Sequence, residues 1–161
     1  MKKFSILDLV RQATIASIYV VLVLIFQMIS FDDIQFRVAE ILLVLVLFDP
    51  KSSIGILVGT LIANLFSPIV LYDLGFGLLA SILTIILMLI FRKKPYLALL
   101  FPSLINAPII GFMLFLALKL PFLYSTLGVF IGQFTVTYIF GLPTYYLLKK
   151  TDFEKIYFPE K

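Results

Sequence analysis

The stretch QFRVAEILLVLVLF, residues 35–48, decides how often this chain crosses its solvent. Residues 38–48 are apolar apart from Glu40, which is short for a membrane crossing of about 20 residues. The charges elsewhere settle its reading. With six crossings and a cytoplasmic N-terminus, Lys2, Lys3, Arg11, Lys51, Arg92, Lys93, Lys94, Lys149, Lys150, Lys155 and Lys161 share the inner face, and only Arg37 and Lys119 lie outside. If 35–48 failed to cross, the 92–94 and 149–150 clusters would move outward, against the positive-inside bias at its two strongest points. The sequence therefore predicts spans near 10–29, 35–48, 53–71, 74–91, 96–118 and 125–148, with both termini cytoplasmic. The tail, 151–161, is expected at the interface.

The rest of the composition agrees with a lipid solvent. Of 161 residues, 62% are hydrophobic and 14% charged; soluble domains carry roughly 25% charged residues. A water-exposed globule could not be covered with so few polar groups. Breakers stand where connections are expected: Asp49-Pro50, Tyr72-Asp73, Arg92-Lys93-Lys94-Pro95, and Lys119 with Pro121. The first apolar run follows Lys2 and Lys3, but Ser30, Phe31, Asp32 and Asp33 make a poor cleavage site, so it reads as a span. No internal repeat is evident. The expectation is an all-α integral membrane protein, one domain over 1–161, in a bacterial inner membrane.

Several function classes are excluded or disfavoured. Without Cys there are no disulfides or thiolate ligands, and without His the usual proton shuttle and commonest metal ligand are absent. No glycine loop followed by Lys-Ser/Thr is present, so ATP is not bound that way. An enzyme, a metal site and a cofactor are not expected. The net charge of +4 sits at span ends and does not indicate nucleic acid.

The polar residues inside the spans carry the functional signal. At about 1.5 Å rise per residue, Glu40, Asn64 and Gln133 lie roughly 7–12 Å below the outer face, with Asn106 nearer the midplane. Gln35, Arg37 and Asp73 are expected at the outer rim. Such groups avoid lipid and turn inward or toward a wet cavity. Any one amide could simply join two helices, and Arg37 and Glu40, three apart, could form an ion pair within one helix. Together they suit a planar heterocycle: a carboxylate accepts paired N–H donors, and amides serve ring oxygens or nitrogens. Phe36, Phe76, Phe130 or Phe134 could stack on such a ring, against a background of 17 Phe.

Small residues form a second pattern. Ala13 and Ser17 lie four apart on the first span, with Ala16 offering another register; Gly55, Gly59 and Ala63 repeat the spacing on the third, and Gly128 and Gly132 on the sixth. Such faces permit close helix approach. Internal packing is the expectation for the third and sixth spans. The first is open between packing and docking a partner.

Six short helices, the first-span pattern, the 35–40 stretch QFRVAE, Gly59-Thr-Leu-Ile-Ala-Asn64 with Tyr72-Asp-Leu-Gly-Phe-Gly77, the stretch from Pro102 to Asn106, and Gly132-Gln133 with Gly141-Leu-Pro143 resemble the QueT family. The likeness runs from about Leu9 to Lys150. It implies a substrate-capture (S) component of an energy-coupling factor (ECF) transporter, importing a queuosine precursor, a 7-deazaguanine such as preQ1. It also implies a membrane coupling subunit and two cytoplasmic ATPases as partners, reached by toppling of the whole subunit. On that likeness the ligand is held by Glu40, Asn64, Asn106 and Gln133, with Arg37 and Asp73 near the mouth and Phe36 or Phe76 stacking. Asp73 is then a candidate for the preQ1 aminomethyl cation, loops 30–36 and 119–125 close over the ligand, and Ala13, Ala16 and Ser17 dock the coupling subunit. Alternatives are an S component for another vitamin, a scaffold subunit without ligand, and a self-contained channel.

Overall fold

The computed structural model describes residues 4–31, 35–151 and 153–158, and every regular element among them is helical. Lys2, Lys3, Lys161 and parts of the 30–36 loop and the tail lie outside those residues.

Helix α1 (Ile6–Ile25) starts at a capping box, in which the Ser5 hydroxyl accepts from the Asp8 N–H and the Asp8 carboxylate accepts from the Ser5 N–H. Reciprocal satisfaction of end donors fixes such a start. A single turn, Gln27–Ser30, follows. Helix α2 (Val38–Phe48) begins as a 3-10 helix, Val38–Leu43, and relaxes to α geometry over Val44–Phe48. After Asp49-Pro50 comes α3 (Ser52–Asn64). Then follow α4 (Val70–Ile90), α5 (Pro95–Leu118) and α6 (Phe122–Lys150). Helix α5 starts with Pro at its first position and ends at Lys119, whose φ of 60° is left-handed. The short α7 (Phe153–Tyr157) closes the described chain.

Helices α1, α4, α5 and α6 are long and apolar enough to cross a membrane; α2 and α3 are shorter. The third expected span, 53–71, is cut at Asn64, and Asp73 lies inside α4 instead of between helices. Ser67 and Pro68 make the break: Pro68 has no N–H to continue a ladder, and the Ser67 hydroxyl accepts from the Ile69 N–H at 3.0 Å. Tyr72-Asp73 fails as a breaker because Asp73 is buried with a partner, so its charge marks no exit to water.

Helices α1 and α3 pack parallel to one another through the expected glycine face. A Cβ on Gly59 would lie 2.8 Å from the Tyr19 Cβ, and one on Gly55 would lie 2.7 Å from the Gln12 carbonyl. The contacts run the length of the pair: Lys51 on Asp8, the Gly55 N–H on Gln12 Oε1 at 3.2 Å, and Gln27 Nε2 on the Phe66 carbonyl at 3.1 Å. Helix α3 therefore begins and ends at the levels where α1 does, and the α2–α3 hairpin spans the same depth. Gly132 also packs internally, against the backbone of Gln35 and Phe36. Gly59→Leu is expected to destabilise the chain by about 2 kcal/mol or more, since overpacking against backbone and a buried ring cannot relax easily. Ser17→Leu, on the exposed face of α1, should change stability by less than about 0.5 kcal/mol. Denaturant titration in detergent checks both.

One end of the bundle gathers the start of α1, the 49–51 turn, the end of α6 and α7. Phe48 packs on Tyr145 at 5.1 Å and on Phe153 at 5.7 Å between ring centroids, and Arg11 stands over the Phe158 ring at 5.8 Å. Lys51, Lys149 and Lys150 belong to this end. Arg37 belongs to the other.

Candidate ligand site

The irregular segments decide which polar groups meet. Arg37 precedes the 3-10 turn in a non-helical conformation (φ −81°, ψ 82°), so its side chain does not ride on the helix face that carries Glu40. The expected Arg37–Glu40 ion pair is not formed. The Arg37 guanidinium instead reaches Asp73 on α4, with Nη2 3.6 Å from Oδ1. Asp73 opens a π turn, Asp73–Gly77. Such turns, with their i→i+5 bonds, occur often at functional sites. Here the turn lets Asp73 bond the Ser67 hydroxyl while its own carbonyl accepts from Asn64 Nδ2 at 2.8 Å. Gly77 lies in the same turn, and a Cβ there would come within 3.0 Å of the Asn64 amide.

Glu40 finds a different partner. The Tyr19 hydroxyl donates to its Oε1 at 2.7 Å, and both side chains are buried. The Arg37 guanidinium lies close to the same hydroxyl. Tyr19 with Glu40, and Arg37 with Asp73, Asn64 and Ser67, thus form two bonded polar groups between α1, α2, α3 and α4. Gln35, Arg37 and Asp73, expected at an outer rim, are buried, each less than 5% exposed.

Asn106 and Gln133 are placed differently. Asn106 Oδ1 accepts from the Thr84 hydroxyl at 3.2 Å, an interhelical bond between α4 and α5. Gln133 is buried two residues before the π segment of α6, Thr135–Phe140. Among the described residues no hydrogen bond or ion pair joins either side chain to those two groups. The expected depth of Asn64 changes too: it is the last residue of α3, not seven residues inside a span.

The aromatic expectations divide in the same way. Phe36 is half-buried. Phe76 stacks on Tyr72, with ring centroids 6.5 Å apart and 15° between planes, and meets Phe112 edge-on. Phe130 and Phe134 stack at 5.7 Å, and Phe134 stacks on Tyr138 at 4.9 Å.

Four residues of the expected set carry buried polar atoms without a hydrogen-bond partner: Arg37 (Nε and Nη2), Asn64 (Oδ1), Asp73 (Oδ1) and Gln133 (Oε1). Leaving such an atom unpaired costs about 1–3 kcal/mol. Arg37 Nη2 and Asp73 Oδ1 face each other as an ion pair, and further atoms of this kind occur elsewhere in the bundle, on Gln12, Ser30, Ser52, Thr60, Ser125 and Thr126. No cluster of three or more His, Cys, Asp or Glu suited to a metal occurs among the described residues.

The model of the QueT transporter family matches residues 9–150. The chain belongs to that family. It is a multi-pass membrane protein with a role in transport, and family membership points to a transporter in place of an enzyme. No curated protein and no solved structure matches the chain.

Residues missed in the sequence are Tyr19, Ser67 and Thr84. All three stand in or beside apolar runs, where hydroxyls read as neutral. A signal for Tyr19 was present: it places a hydroxyl in the buried stripe Gln12, Ile15, Ala16, Tyr19, Val23 at helical spacing.

Proposed function

We propose that this QueT family member is the substrate-capture (S) component of an ECF importer and binds a cationic 7-deazaguanine such as preQ1. The observation that carries the reading is a charge imbalance: two buried carboxylates, Glu40 and Asp73, surround one buried guanidinium, Arg37. With both carboxylates ionised the cluster carries one negative charge, which a monocationic ligand balances. Glu40 has one Oε1 bond, from Tyr19, and each carboxylate oxygen can accept two, so paired N–H donors can still be received. Asn64 Oδ1 and Gln133 Oε1 offer further acceptors. Asp73 already faces Arg37, so the ligand's cation joins this pair instead of meeting a free carboxylate. Asn106 and the rings of Phe36 and Phe76 line the deeper and outer parts of the pocket in this reading.

The chain forms one domain of six crossings with both termini cytoplasmic. The matched levels of α1 and the α2–α3 hairpin support this, as does the collection of Lys51, Lys149 and Lys150 at one end. Ala13 and Ser17 are exposed on α1, with the Ser17 hydroxyl turned back on the Ala13 carbonyl at 2.8 Å, while Ala16 is buried against α3. The coupling subunit therefore docks in the Ala13–Ser17 register, and Ala16 packs internally. Two cytoplasmic ATPases drive the toppling, since the chain carries no nucleotide motif.

The test is a ligand pair. PreQ1 is expected to bind at least tenfold more tightly than its neutral 7-cyano analogue, as expected of a charge-assisted hydrogen bond worth about 1.5–3 kcal/mol. Titration calorimetry on the purified chain in nanodiscs measures both, and equal affinities contradict the charge argument.

A further inference from the structure

Glu40 leaves a 3-10 turn, and a long carboxylate there has several rotamers open to it unless a neighbour fixes one. The neighbour is Tyr19. Its side chain is wholly buried, and its hydroxyl is the only hydrogen-bond partner of the Glu40 carboxylate among the described residues. The ring itself cannot drift: it is held against the face of Gly59, where even a methyl group would collide with it. Gly59 and Tyr19 thus form a rigid mount on two packed helices, and rigid elements hold a contact group more precisely than loops do.

We propose that Tyr19 is a positioning residue for ligand capture, fixing Glu40 through its hydroxyl; this rests on Glu40 contacting the ligand as read above. A phenol donating to Oε1 leaves Oε2 and the second acceptor site of Oε1 for the incoming donors. Arg37 is paired with Asp73 and not with Glu40, so among the described residues the carboxylate of Glu40 is held by Tyr19.

Tyr19→Phe keeps the ring and removes the bond. In the purified full chain, preQ1 affinity should fall about tenfold. The infrared carboxylate band that Glu40→Gln abolishes should shift in Tyr19→Phe, a change that loss of packing alone would not produce. Tyr19→para-aminophenylalanine, which restores a donor at the ring tip, should recover most of the affinity. An unmoved carboxylate band, or an affinity in Tyr19→Phe within about twofold of the unmodified chain, overturns the assignment. If the unmodified chain itself shows no saturable preQ1 binding, the transport reading falls. The carboxylate band, recorded without ligand, still decides whether Tyr19 holds Glu40.

Discussion

Glu40→Gln weakens preQ1 binding on the order of a hundredfold, about 3 kcal/mol. The expectation comes from what the carboxylate does in place. It is buried, it is held by Tyr19 at 2.7 Å, and it retains acceptor sites for two further donors. Hydrogen bonds to a charged acceptor contribute about 1.5–3 kcal/mol each. The amide keeps the shape and one acceptor oxygen but loses the charge and presents an NH₂ where the ligand also presents donors. The fold should survive, because the Tyr19 hydroxyl can still donate to the amide oxygen. Calorimetric titration beside a thermal unfolding curve separates the two effects. Affinity unchanged in a folded Glu40→Gln chain would sink the role of this carboxylate.

Asp73→Leu destabilises the chain by about 3–5 kcal/mol, the largest stability effect expected of a single substitution at the site. Removing one partner of a buried ion pair strands the other charge, and Arg37, only 4% exposed, has no path to water. The change also takes away the partner of the Ser67 hydroxyl. The Arg37→Met, Asp73→Leu double variant should regain most of the lost stability, because a buried pair replaced by apolar side chains is often neutral or better. That recovered fold should nevertheless bind preQ1 poorly, because the double variant lacks two groups of the site. Unfolding by heat in nanodiscs, read by intrinsic tyrosine fluorescence, measures the series. Asp73→Leu as stable as the unmodified chain would contradict a structural ion pair.

Much of this was legible in the residues, and the failures have physical causes. Composition alone specified the solvent and the all-helical class, because lipid leaves helices as the way to satisfy backbone groups within one segment. Span boundaries failed where a charge was taken to mark an exit to water. Asp73 carries its charge into the bundle with a partner from another segment, so the true break lay at Ser67-Pro68. Arg37 and Glu40 read as neighbours under helical spacing, but the backbone at Arg37 is not helical, and a one-residue conformational difference redirected the guanidinium to α4. The small-residue face of α1 gave three candidates, and only packing against α3 could separate buried Ala16 from exposed Ala13 and Ser17. Of the polar residues expected to gather, Arg37, Asn64 and Asp73 form one network, and Glu40 is bonded to Tyr19 instead. Asn106 is bonded to Thr84, a partner whose hydroxyl an apolar run conceals.

In the function proposed above, the buried cluster around Glu40 holds a cationic deazaguanine. Mass spectrometry of small molecules released from the purified full-length protein tests it most directly. The expected release is a 7-deazaguanine bearing an amine, in roughly equal amount to the protein and lost from Glu40→Gln, whose charge-assisted bonds of about 3 kcal/mol are gone. Release of thiamine, riboflavin or another molecule without the deazaguanine ring in its place would contradict it.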